Sequence, residues 1–108
     1  MKSFDTNVVV RILVKDDPDQ CRQAEDAWRE AVADGGAFLT TTVLVEVAWV
    51  LRAACKLDRA TIAGGLRRLV DSAGVTIEHE ALVRLAIDFF ESGTADFSDY
   101  VIRESAHP

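Results

Sequence analysis

Glu46 stands alone as a carboxylate in the apolar run Val43-Leu44-Val45-Glu46-Val47-Ala48-Trp49-Val50-Leu51. A segment that is apolar at every helical position predicts a helix buried on all sides. An unpaired carboxylate there is costly and takes up a proton unless something compensates its charge. A divalent cation is the strongest such partner. Two other segments supply matching groups: Lys2-Ser3-Phe4-Asp5-Thr6-Asn7 near the start, and Asp96-Phe97-Ser98-Asp99 near the end. Neither His79 nor His107 falls within these segments, so the set is all-oxygen and suits Mg²⁺ or Mn²⁺ rather than zinc.

The surrounding elements have to bring these groups together. Met1 to Asp5 is too short for a helix and reads as a strand. Val8 to Val14 reads as a short buried helix, because so short a turn cannot join two adjacent parallel strands. Asp17-Pro18-Asp19-Gln20 is a helix start with Asp17 as N-cap and Pro18 at the first helical position. That helix runs through Trp28 and stops at Gly35-Gly36. Ala37 to Thr40 reads as a second strand, Thr41 or Thr42 as the cap of the Glu46 helix, and Cys55 as its approximate end. Asp58 caps a helix over Arg59 to Ser72, followed by a strand over Val75 to Glu78. Glu80 to Glu91 is amphipathic and stopped by Ser92-Gly93, and a last helix opens at Phe97 and ends at His107-Pro108. Strands alternating with helices in this order predict an α/β fold with a parallel sheet and helices on both faces. In such sheets, sites form beyond the carboxyl ends of the strands. Asp5, Glu46 and the Asp96–Asp99 segment can all reach that rim, the last at a helix N-terminus that favours anions.

Composition sets the bounds. At 108 residues the chain makes one domain, residues 1–108, with a single core. The apolar share of 49% against 28% charged residues marks a folded rather than a disordered chain. No apolar stretch approaches the roughly 18 residues of a membrane span, and the first residues lack the pattern of a signal peptide. Cys21 and Cys55 are isolated and read as reduced thiols of a cytoplasmic protein. A net charge of −6 argues against a broad phosphate-gripping surface, yet clustered metal-binding carboxylates would themselves raise the negative count.

Each acidic element also has a purely structural reading. Asp5 could cap the first helix, Asp96 and Asp99 have capping-box spacing, and Glu46 could pair with Arg52. Trp28 and Trp49, at helical spacing, read as core or interface packing, and His79 as an exposed turn residue. Their joint occurrence at one predicted edge favours a single site over three coincidences.

Phe4-Asp5-Thr6-Asn7, Glu46 within its apolar run, and Ala95-Asp96-Phe97-Ser98-Asp99-Tyr100-Val101-Ile102 together resemble the PIN domain, specifically the VapC-type toxins of bacterial toxin–antitoxin pairs. The resemblance runs through the chain in order. It implies a PIN-like three-layer α/β/α fold and a metal-dependent endoribonuclease, homodimeric and neutralised by a cognate antitoxin. It places acidic catalytic and metal-ligating roles on Asp5, Glu46 and Asp99, an additional acidic ligand on Asp96, and supporting roles on Thr6 and Asn7. Relatives of this type carry a further strand with a Thr-Phe-Asp or Thr-Asn-like motif, which has no counterpart here. The sheet is therefore expected to lack its C-terminal strand, with an exposed edge and an uncovered apolar face. That departure supports a second expectation, a non-catalytic degenerate PIN domain that retains dimer or antitoxin binding. A third is an unrelated α/β regulatory domain whose acidic residues are all caps.

Overall fold

Four polar side chains fix where the first four helices begin. Asp5 accepts the amide of Val8, Asp17 those of Asp19 and Gln20, Thr40 that of Val43, and Asp58 that of Thr61. They start α1 (Thr6–Leu13), α2 (Pro18–Ala33), α3 (Thr41–Ala53) and α4 (Arg59–Val70). Thr40 is thus the cap of α3 rather than the last residue of a strand, because its extended backbone (φ −81°, ψ 157°) aims its hydroxyl at the first turn. A computed structural model describes residues 1–106, so the expected helix end at His107-Pro108 lies outside the described residues.

Between the helices run β1 (Lys2–Ser3), β2 (Ala37–Leu39) and β3 (Val75–Ile77). They form a parallel sheet in the order β1-β2-β3, with Lys2 opposite Ala37 and Ala37 opposite Val75. Each strand is shorter than its sequence suggests, and β1 lies at an edge. Gly74, at φ +75°, opens β3: its carbonyl accepts the Ala37 amide at 2.9 Å, and Val32 leaves no room for a Cβ. After β3 come α5 (Glu80–Ser92), entered through His79 in the left-handed region at φ 53°, and α6 (Phe97–Ser105). His79 is exposed in that turn, as its position implied.

The result is a compact α/β/α fold with six helices and a short sheet. Ala37, Leu39 and Ile77 face a core built with Val9, Leu44, Val47, Leu51, Leu66, Ile87 and Phe97. The opposite row of the sheet, Ser3, Phe38 and Thr76, has one apolar member, and Phe38 is half-buried. On the sheet itself the uncovered apolar face expected from the sequence comes down to that single ring, whereas Leu85, Phe89 and Ile102 stay exposed on α5 and α6. Trp28 packs its indole against Phe4 at 5.2 Å between ring centres, tying α2 to the end of β1. Cys21 and Cys55 are free thiols. No helix of the described residues is long and apolar enough to cross a membrane.

Candidate active site

Because the strands are parallel, the residues after β1, β2 and β3 emerge on one rim: Asp5, Thr40 and Glu78. Glu78 closes part of that rim. Its carboxylate accepts the Thr41 amide at 3.0 Å, while the Thr41 hydroxyl donates to the Glu78 carbonyl at 3.2 Å. The Thr41 amide holds the Glu78 carboxyl below its ordinary value of 4.5. A carboxylate whose folded pKa is depressed contributes stability above its unfolded value and loses it as pH falls through the folded one. Glu78→Gln is thus expected to shrink the drop in urea midpoint between pH 7 and pH 3 relative to the unaltered chain. An equal drop in both would show that the Thr41 contact is not what acid breaks.

Glu46 is exposed, not buried. The helix around it is apolar in sequence but not all-round covered. Thr42, Glu46, Trp49 and Ala53 recur at helical spacing and form an exposed stripe, while Leu44, Val47, Ala48 and Leu51 face the core. The compensation argument for a buried charge therefore does not apply. What remains is its position: Thr6 Oγ1 donates to Glu46 Oε2 at 2.9 Å, joining residues 40 apart in sequence. That bond sets the second acidic motif against the first. Asp5, adjacent to Thr6, accepts the Val8 amide through Oδ1 at 3.1 Å. Asn7 is exposed in the first turn of α1.

Asp96 and Asp99 form the capping box their spacing suggests, with Asp99 Oδ2 accepting the Asp96 amide at 3.1 Å. Asp96 Oδ1 also faces Arg52 Nε at 3.3 Å. Arg52 thus pairs with Asp96 rather than with Glu46. The pair bridges α3 to α6, and Glu46 and Asp96 border one cavity between those helices. The structure therefore draws Thr6, Glu46 and Asp96 to one corner, with Asp5 beside Thr6 in sequence and Asp99 hydrogen-bonded to the Asp96 amide.

Sequence reasoning missed the residues that hold α6 there. Arg59, the first residue of α4, donates to the carbonyls of Phe90 at 2.9 Å and Ala95 at 2.7 Å, and its guanidinium lies 4.5 Å from the Phe90 ring centre. The Tyr100 hydroxyl accepts the amides of Thr94 and Ala95 at 3.2 and 3.3 Å. A Cβ on Gly93 would collide with that hydroxyl, which explains the glycine without any special backbone angle. Arg59 follows a helix cap and Tyr100 sits in an apolar helical segment, so neither pattern marks a contact across elements.

In donor type, the corner fits a hard divalent cation: four carboxylates and a hydroxyl, with no His or Cys among them. Among the described residues no three such side chains are yet gathered into a metal-sized cluster. Their oxygens are instead shared with backbone amides, Thr6 and Arg52.

A parallel sheet with acidic residues at its carboxyl rim defines an α/β protein whose candidate site is a set of carboxylates. The family model described as PIN domain matches residues 3–107, and the chain belongs to that family. PIN domains are generally nucleases that act on RNA and typically use divalent metals. Comparison with curated proteins and with solved structures found no match.

Proposed function

We propose that this chain is a metal-dependent endoribonuclease of the VapC type, the toxin of a toxin–antitoxin pair. The observation that carries this reading is the Thr6–Glu46 hydrogen bond, which puts the two acidic motifs side by side at the strand rim. Asp5, Glu46 and Asp99, with Asp96 beside them, would hold Mg²⁺ or Mn²⁺. Such an ion supplies Lewis acidity toward the phosphodiester and makes a nearby water more acidic. The chain's own part is to position and to accept. Thr6 orients the Glu46 carboxylate through its hydroxyl, and a rim carboxylate takes the proton of the attacking water. No side-chain nucleophile is needed. A homodimer, a cognate antitoxin partner and a cytoplasmic setting belong to the same proposal.

A second reading, a non-catalytic PIN domain that retains dimer or antitoxin binding, draws support from Asp5 serving as the N-cap of α1 and Asp99 as the N3 member of the α6 capping box. Incubation of the purified chain with a small structured RNA in Mg²⁺ or Mn²⁺, and again with EDTA, separates the two. Cutting that EDTA stops supports the nuclease; a folded chain that cuts under neither condition supports the binding module. Exposure of Glu46 makes it a clean probe. Glu46→Gln is expected to lower cleavage by at least about 100-fold while stability moves by no more than about 0.5 kcal/mol. Unimpaired cleavage in that variant would remove Glu46 from the mechanism.

A further inference from the structure

Trp49 is the large apolar side chain of α3 that stays in water, 61% exposed. It borders a cavity of about 200 Å³ whose covered walls are Ala48, Phe90 and Phe97, with half-buried Val45 beside them. Phe90 and Phe97 meet edge to face at 6.0 Å in that apolar wall. Pockets for drug-sized ligands run from about 300 Å³ upward, so this one suits a single flat ring system. A helical peptide needs several anchors a turn apart, which one cavity of this size does not offer.

Charge decides which part of a polymer enters. Glu46 and Asp96 stand at the same cavity and repel a phosphate, whereas a neutral heteroaromatic ring meets apolar walls and an indole face. Arg52, exposed at the same opening, is already paired through Nε with Asp96 at 3.3 Å, so the subsite rests on the ring and not on a phosphate contact. Every base has a face to stack, so an exposed aromatic beside a reactive rim serves a single-stranded nucleotide well.

We propose that this cavity seats a nucleobase of single-stranded RNA next to the bond that is cut, stacked on Trp49. The subsite rests on the nuclease reading above and adds a substrate-binding residue to it.

The test is the affinity of a fluorescein-labelled single-stranded hexaribonucleotide, read by anisotropy in EDTA at low salt, alongside KM for its cleavage in Mg²⁺. Trp49→Ala is expected to weaken binding by about 5- to 150-fold, the range for one base–aromatic stack, and Trp49→Phe to recover most of it. A hexamer of abasic ribose phosphates is expected to bind both proteins equally weakly. The exposed position of Trp49 makes both substitutions compatible with folding. Binding or cleavage by the unaltered chain that Trp49→Ala leaves unchanged would overturn the subsite alone. Absence of both from the unaltered chain would overturn the nuclease reading and the subsite together. A dimer that Trp49→Ala dissociates with RNA affinity intact would identify the indole as a contact between copies, against the proposal.

Discussion

Asp5→Asn is expected to reduce kcat/KM for RNA cleavage by at least about 100-fold while leaving the thermal midpoint within about 2 °C. The separation follows from the two jobs of one side chain. As the N-cap of α1, Asp5 offers Oδ1 to the Val8 amide, and the amide oxygen of Asn makes the same bond. Asn and Asp cap helices about equally well. What Asn cannot supply is the negative charge that a cation or a water proton requires. Full activity in the variant, with unchanged metal dependence, would show that Asp5 is a cap and nothing more. A collapse of the fold would show that its charge, rather than its oxygen, holds α1 in place.

The largest expected stability change is at Phe97. It is 2% exposed, opens α6, and meets Phe90 edge to face. Phe97→Ala should cost roughly 3–5 kcal/mol, a large share of the ~5–15 kcal/mol that holds a domain folded. Urea denaturation reads this as a lowered midpoint with little change in slope. A loss below about 1 kcal/mol would mean that α6 collapses into the void, and that its seat against α5 is less fixed than the hydrogen bonds around it indicate.

The parts of the fold legible in the sequence were those governed by local chemistry. Asp17-Pro18, Gly35-Gly36, Asp58 and Gly93 mark helix ends through caps and turns that act over a few residues. Glu46 shows where that legibility stops. Its run looks buried because hydropathy cannot separate a core-facing Leu44 from a solvent-facing Trp49 when both are apolar. The site followed the same pattern. The acidic motifs were visible as residue types, and the position of Asp5 at the strand rim followed from parallel strands. The pairing of Arg52 with Asp96, and the reach of Arg59 to two carbonyls over 30 residues away, depend on how α3, α4, α5 and α6 stack. No local spacing encodes that.

The link from α5 to α6 is short and contains a glycine, the composition of a hinge, yet it is not free to act as one. Its amides at Thr94 and Ala95 end on Tyr100, and the carbonyls of Phe90 and Ala95 end on Arg59. Three of these bonds end on the link itself, at Thr94 and Ala95, and Arg59 is also anchored on the Phe90 carbonyl of α5, so α6 travels with α4 and α5 as one block. Asp96 and Asp99 belong to that block, whereas Asp5 and Thr6 belong to α1, and Glu46 to α3. Any tightening of the acidic corner is then a matter of shear, one packed body sliding on another along the seam between α3 and α6.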